Sequence, residues 1–236
     1  MKAFVLCGGK GTRLLPYTYS LPKAMLPLGK KPILEFVLNN LKSHGITEVI
    51  LTVGYLKEQI KKYFGDGSKF GVKITYLEEE RALNTAGSVL PGKDLVKETF
   101  LVLMGDHLTT VNLKKMVDFH KSKKAIATIG LKRQGLPLEF GIAKTDKTER
   151  VVSFEEKPIV ETLVNAGIYI FEPEVFNYIK FGADFAMDVF PEMLAGKAPI
   201  YGYMFDDYWL DIGRINDYER INQLISILDL IVSSKR

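Results

Sequence analysis

A short apolar run, Ala3-Phe4-Val5-Leu6-Cys7, gives way to a glycine-rich basic stretch and then, from residue 33, to an amphipathic segment. The run reads as a buried strand and the amphipathic segment as a helix. Residues 7–32, CGGKGTRLLPYTYSLPKAMLPLGKKP, therefore form one long strand-to-helix connection. Such connections have a median of about 4–6 residues, and much longer ones are functional or disordered. Leu14, Leu15, Tyr17, Met25, Leu26 and Leu28 supply apolar anchors that argue against disorder. From Met1 to Leu34 there are six basic residues (Lys2, Lys10, Arg13, Lys23, Lys30, Lys31) and no Asp or Glu. A segment so one-sided calls for an anion. Gly8, Gly9 and Gly11 let a backbone approach a ligand and turn its N–H groups toward phosphate oxygens. Arg13 would grip phosphate bidentately, with Lys23 acting as a point charge.

Strand and helix signals then alternate. Strands are expected at 48–53, 72–76 and 100–104, and helices at 33–44, 56–64, 85–90 and 113–121. This pattern predicts an α/β fold, a Rossmann-like, mostly parallel mixed sheet flanked by helices on both faces. Ligands of such sheets bind outside the carboxyl ends of the strands. The basic loop and Asp106 both lie at such ends. From residue 125 the pattern turns strand-rich, at 125–131, 141–145, 151–154, 166–171 and 200–205, which reads as a second lobe on the same sheet. No Pro/Gly/Ser-rich linker intervenes, so residues 1–236 read as a single domain. Asn216 and Glu219 have the form of a capping box for a final helix. Tyr218, Ile221, Leu224, Ile225 and Leu228 make one apolar stripe on it, and Ile227, Leu230 and Ile231 fall partly outside. A helix apolar beyond one stripe is buried on two sides, either in its own core or at a subunit interface.

The net charge of +4, from 32 basic and 28 acidic residues, gives little support to nucleic-acid binding. Cys7 is the only cysteine, which rules out an internal disulfide and reads as a core hydrophobe. Neither a signal-peptide pattern nor a run of roughly 20 apolar residues is present, so a cytoplasmic protein without membrane contact is expected. A Walker-type loop is missing, and Gly9-Lys10-Gly11-Thr12-Arg13-Leu14 lacks the third glycine of a dinucleotide fingerprint. G-x-S-x-G and H-E-x-x-H are absent, and three scattered His with one Cys make a poor zinc set. What remains is a pair of carboxylates after apolar runs, Asp106 and Asp211. A carboxylate there is costly unless paired or metal-bound. One such Asp is often a loop cap; two beside a basic glycine loop favour Mg²⁺ held near phosphates. His107 reads as a loop residue.

The opening pattern G-G-x-G-T-R-L-x-P-x-T-x-x-x-P-K recurs with Leu83-Asn84-Thr85-Ala86-Gly87, Gly105-Asp106, Phe140-Gly141, Glu155-Glu156-Lys157-Pro158, Asn165-Ala166-Gly167-Ile168-Tyr169 and Trp209-Leu210-Asp211-Ile212-Gly213. In this order the set resembles the sugar-1-phosphate nucleotidylyltransferases over the full length. The resemblance implies transfer of a nucleotidyl group from a nucleoside triphosphate to a sugar-1-phosphate, with Mg²⁺ as cofactor. It implies nucleotide contacts at Leu6, Gly8, Gly9, Gly11, Thr12, Arg13, Glu80, Asn84, Thr85 and Gly87, catalytic roles for Arg13 and Lys23, and metal ligands at Asp106 and Asp211. Gly141, Glu156, Lys157 and Asn165 would hold the sugar phosphate; for Glu156 and Lys157 the lesser, competing reading is a solvated charge pair at a strand end. Residues 1–124 would be the nucleotide-binding half, and 125–236 the sugar-binding half with a C-terminal helix able to form a homo-oligomer. Asn84 stands where many members have Gly, which leaves the base open among G, U and dT. The absence of hexapeptide repeats suggests the stand-alone core enzyme. A catalytically inactive, sugar-nucleotide-binding regulatory relative is the alternative; a glycosyltransferase would carry an Asp-x-Asp motif that Gly105-Asp106-His107 does not supply.

Overall fold

The computed structural model describes residues 1–233, with side chains along the last helix to residue 225. Leu228 of the expected stripe, and Ile227, Leu230 and Ile231 that fall partly outside it, thus lie outside the described side chains. Strand β1 (Ala3–Cys7) enters the long loop, which folds into three 3₁₀ turns at Thr12–Leu14, Tyr17–Tyr19 and Lys23–Met25, followed by the tiny ladder β2 (Pro27–Leu28) and β3 (Lys31–Pro32). Then come α1 (Ile33–Ser43), β4 (Glu48–Val53), α2 (Lys57–Phe64), β5 (Lys73–Glu78), α3 (Asn84–Gly87), β6 (Phe100–Met104), β7 (His107–Thr109) and α4 (Leu113–Lys123). The second half contains β8 (Ala127–Pro137), β9 (Ile142–Thr145), β10 (Val151–Glu155), β11 (Ile159–Phe171), α5 (Phe190–Ala195), β12 (Ile200–Phe205), β13 (Trp209–Asp211) and α6 (Ile215–Ser233).

Seven strands form one sheet in the order β12-β8-β11-β6-β1-β4-β5. β1 pairs in parallel with β4 and β6, β4 with β5, and β8 with β12. Only β11 runs against its neighbours, β6 and β8. The sheet is thus mixed and mostly parallel, and strands of both halves belong to it. Alternation along β1 explains why it is buried on both faces. Ala3, Val5 and Cys7 pack with Leu34, Val37, Leu38 and Leu41 of α1 and with Met116 of α4, whereas Phe4 points into the opposite layer with Val102, Phe171 and Phe185.

The Phe171 ring, fully buried, stacks on Phe185 with centroids 5.0 Å apart and lies 5.8 Å from Phe100. Truncating it would leave a cavity between the sheet and the 185–195 segment. Phe171→Ala is expected to cost about 3–5 kcal/mol, read as a lowered denaturant midpoint in equilibrium unfolding.

Two expectations need correction. β11 begins at Ile159, not near 166, because its outer part pairs with β8 alone from Ile159↔Pro137 to Asn165↔Leu131 as a hairpin that leaves the sheet. That hairpin is exposed, so it lacks the continuous apolar run that marks a core strand. α6 starts at Ile215, which puts Asn216 inside the helix, and Glu219 accepts a hydrogen bond from Tyr17 Oη at 2.7 Å. No capping box forms; the helix instead fastens the basic loop. Tyr218 Oη donates to Pro27 O at 2.8 Å and Asn222 Oδ1 accepts from Gly29 N at 3.0 Å. From the other side Tyr55 Oη donates to Thr18 O at 3.0 Å and Gln59 Nε2 to Ser20 O at 2.8 Å. These tethers, with Leu14, Leu26 and Leu28 buried against Ile212, Tyr218 and Ile221, give the long loop a single shape. Among the described residues no helix is long and apolar enough to cross a membrane.

Candidate active site

The loop leaves β1 with its backbone donors unspent. The N–H groups of Gly9, Lys10, Gly11, Thr12 and Arg13 have no acceptor among the described residues. Gly11 takes φ +63, a left-handed turn that favours glycine, and Thr18 Oγ1 pins it by donating to Gly11 O at 2.9 Å. Consecutive free N–H groups in such a turn make an anion-binding nest. They border a cavity of about 260 Å³ lined by Leu6, Gly9, Gly11, Thr12, Arg13, Lys23 and Asp106, among others.

Asp106 and Asp211 are brought together by a ladder that no periodicity in the sequence announces. β7 and β13 pair antiparallel, with Asp211 opposite His107. Lys23 Nζ pairs with Asp106 Oδ2 and lies 3.8 Å from Asp211 Oδ1. The His107 ring completes the cluster, with Nε2 at 3.3 Å from Asp211 Oδ1 and 3.6 Å from Asp106 Oδ1. His107 Nδ1–H donates to Ala166 O at 3.0 Å, and Trp209 Nε1–H donates to the same carbonyl at 2.8 Å. Burial opposes charge on the His107 ring, but the hydrogen bond to Asp211 and the Asp106 charge outweigh it and raise its pKa. The same bond, working against desolvation, holds the Asp211 carboxyl below its usual range. His107 is therefore no simple loop residue; it bridges the two carboxylates.

Ligand atoms of Asp106, His107 and Asp211 all lie within 4.8 Å of one another. The Lys23 ammonium pairs with Asp106 and lies within reach of Asp211, so the two carboxylates already face one positive charge. A hard ion such as Mg²⁺ prefers oxygen donors, so the two carboxylates fit it, while both His107 nitrogens already have partners.

A second cavity, about 270 Å³, shares Leu6, Gly9 and Asp106 with the first and continues past Gly8, Glu79, Leu83, Asn84 and Thr85. Asn84 has φ +57. After glycine, Asn is the residue that best tolerates this conformation, so it keeps the backbone that a glycine would give. Its Nδ2 donates to Gly182 O at 2.8 Å. Thr85 Oγ1 donates to Asp184 Oδ2 and accepts from Phe185 N, both at 2.8 Å. Gly87 does not line the cavity; a Cβ there would fall 2.7 Å from Gly182 N, so its place is in the packing of α3 on that segment. Glu80 is exposed and borders an outer cavity of about 490 Å³ with Gly8, Gly9 and Tyr55. Its neighbour Glu79, not singled out in the sequence, is the more telling residue. Its carboxylate fills the space where a Cβ on Gly8 would lie, and its Oε1 is buried without a hydrogen-bond partner. The signal was there: Glu79 follows the end of β5, as Asp106 follows that of β6.

The sugar-side residues are more dispersed. Gly141 neighbours Glu156, whose Oε2 would be 2.6 Å from a Cβ at residue 141. Glu156 and Lys157 are exposed after β10 and make no ion pair with each other, and Lys157 holds φ +46. Asn165 shapes the bulge in β11, with Oδ1 accepting from Gly167 N and Nδ2 donating to Tyr169 Oη, both at 2.9 Å. That bulge presents Ala166 O to His107 and Trp209. Cys7 is buried in the core and its thiol pKa is pushed up, chiefly by desolvation.

Residues 2–226 match the nucleotidyl transferase family, and the chain belongs to it. It is 40% identical over 238 residues to a UTP–glucose-1-phosphate uridylyltransferase of Synechocystis sp., covering 92% of this chain and 61% of that protein. The chain thus spans about three fifths of that relative's length. To a D-glycero-α-D-manno-heptose 1-phosphate guanylyltransferase of Campylobacter jejuni it is 38% identical over 219 residues, covering 92% of this chain and 97% of the other. A solved structure from Bacillus anthracis, described as a glucose-1-phosphate thymidylyltransferase, superposes with a TM-score of 0.77 at 26% identity and 95% coverage of both chains.

Proposed function

We propose that this chain is a sugar-1-phosphate nucleotidylyltransferase, forming a nucleoside-diphosphate sugar and pyrophosphate in the cytoplasm. The observation that carries the reading is one cavity in which a nest of free N–H groups, Arg13 and Lys23 face the Asp106 carboxylate, with Asp211 within reach of the same lysine. An oxygen of the sugar phosphate attacks the α-phosphorus in line. The bond from that phosphorus to the bridging oxygen breaks, and its electron pair leaves on pyrophosphate. Both reactants are anions, so acceleration comes from screening their repulsion and aligning them. The nest and Arg13 hold the triphosphate, and Lys23 neutralises charge at the reacting phosphates. Mg²⁺ held by Asp106 and Asp211 would supply further positive charge there. His107 fixes the rotamer of Asp211. Lys157 would meet the sugar phosphate, Glu156 and Asn165 the sugar hydroxyls, and Gly141 leaves room for them.

Glu79 narrows the base. An unpartnered buried carboxylate oxygen costs stability until a donor reaches it. Guanine offers two adjacent donors, N1–H and N2–H₂, to a carboxylate fork; uracil and thymine offer one N–H between two repelling carbonyl oxygens. GTP is therefore the proposed donor, in line with the guanylyltransferase name of the Campylobacter jejuni relative. Self-association through α6, where Leu224 is exposed, belongs to the same proposal and is read by sedimentation.

A pyrophosphate-release panel of GTP, UTP, dTTP, CTP and ATP against glucose-, mannose- and N-acetylglucosamine-1-phosphate tests the reading. Turnover is expected with GTP above the others. No pyrophosphate from any pair would replace the enzyme by a sugar-nucleotide-binding protein.

A further inference from the structure

A cavity of about 540 Å³ shares Arg13 with the phosphate-loop cavity and Asp211 with the carboxylate cluster, and runs from them along the β8–β11 hairpin to the first turns of α6. Neither the base side nor the sugar side of the proposed reaction uses it. Its lining is strongly basic, with Arg13, Lys132, Arg133, Arg214 and Arg220 against Asp211 and Asp217. Two of these cations are occupied. Lys132 Nζ donates to Asp206 O at 2.7 Å and Asp207 O at 2.9 Å, and Arg133 has Glu161 at 3.7 Å. Asp211 is likewise engaged by His107. Arg13, Arg214 and Arg220 remain: Arg13 contributes its charge to Asp211, but none of the three side chains makes an ion pair or hydrogen bond among the described residues. Asp217 lies between Arg214 and Arg220 in sequence but pairs with neither.

Five cations against two carboxylates leave a net positive lining, and guanidinium groups match phosphate oxygens in paired, planar contacts. Three of them around one cavity suit an anion charged at both ends. In the reaction proposed above, pyrophosphate gains the electron pair of the broken bond and is the most charged species to leave. Arg13 is the one arginine that lines both cavities. We propose that the cavity receives the departing pyrophosphate, which stays on Arg13 while Arg214 and Arg220 take its outer phosphate. The inference rests on the nucleotidyl-transfer reading, and assigns to α6 a role in product release and in binding pyrophosphate for the reverse reaction.

The test uses the whole chain and the double variant Arg214→Gln/Arg220→Gln. Both side chains are exposed, so the fold should hold, which circular dichroism checks. Calorimetric titration with inorganic pyrophosphate alone should show binding to the unaltered chain, weakened about tenfold or more in the double variant and less in Arg220→Gln alone. In the reverse direction KM for pyrophosphate should rise by a similar factor, with KM for the nucleoside-diphosphate sugar within about twofold. Equal pyrophosphate affinity in both proteins, or no binding to either, overturns the proposal. So does a rise confined to KM for the sugar-1-phosphate, which would make the cavity that substrate's seat. Absence of turnover with any substrate pair would sink the transfer reading, whereas the titration still decides whether the arginines bind pyrophosphate.

Discussion

Asp106→Ala is expected to lower kcat by roughly 10³-fold while leaving the fold intact. The residue ends no core contact: it follows β6 with its side chain 21% exposed, and its partners are Lys23 and the neighbouring His107. Removing it takes one of two carboxylates from the proposed cation site and frees Lys23 to swing toward Asp211. Charge placed for the transition state would be lost, not packing. Asp106→Asn separates this from a loop-capping role. The amide keeps the shape and the acceptor oxygen, so a mere cap would leave turnover near that of the unaltered protein. A site that needs the charge predicts that Asn and Ala variants fall together. Pyrophosphate release at saturating substrates, with a thermal melt beside it, reads both; an active, stable Asp106→Asn enzyme would refute the assignment.

How the site is assembled explains what the sequence could disclose. β1 and β6 are continuous apolar runs and β4 is one but for Glu48 and Thr52, and a run of that kind reports its own burial, so their positions and the glycine loop after β1 were legible. Asp106 stood out for the same reason, as a carboxylate after such a run. The meeting of Asp106 with Asp211 depends on a three-residue ladder, β7 with β13, too short for a period of two to register. His107 was hidden with it, since its position is set by a carbonyl of β11 on one nitrogen and a carboxylate of β13 on the other. The role of α6 was concealed differently. Its apolar stripe was visible, but the polar residues that fasten the loop, Glu219 and Asn222, look like any solvated helix face until Tyr17 and Gly29 are seen beside them. Asn84 shows the reverse case. Read as a sequence it is a departure from glycine that threatens the base pocket; with φ +57 it is the replacement that disturbs the backbone least.

Glu79→Ala is expected to lower kcat/KM for GTP by roughly 10²–10³-fold, the loss of two hydrogen bonds to a buried carboxylate. UTP and dTTP should be affected far less, because their single N3–H gains little from a carboxylate flanked by carbonyl dipoles. The argument turns on Oε1, which is buried without a partner at the wall of the cavity that Leu83, Asn84 and Thr85 also line. A group in that state is tolerated when a ligand completes it, and an empty pocket then favours whichever base supplies donors. Glu79→Gln sharpens the test. Glutamine presents one acceptor and one donor, the pattern that uracil N3–H and its carbonyl can satisfy, so the GTP-to-UTP ratio of kcat/KM should fall by about 10²-fold or more. Cavity shape alone would predict no such change, because the two side chains are nearly isosteric. If both variants kept the original ratio, Glu79 would be a structural carboxylate that fills the space beside Gly8, and the choice of base would have to come from α3 and the loop it packs against.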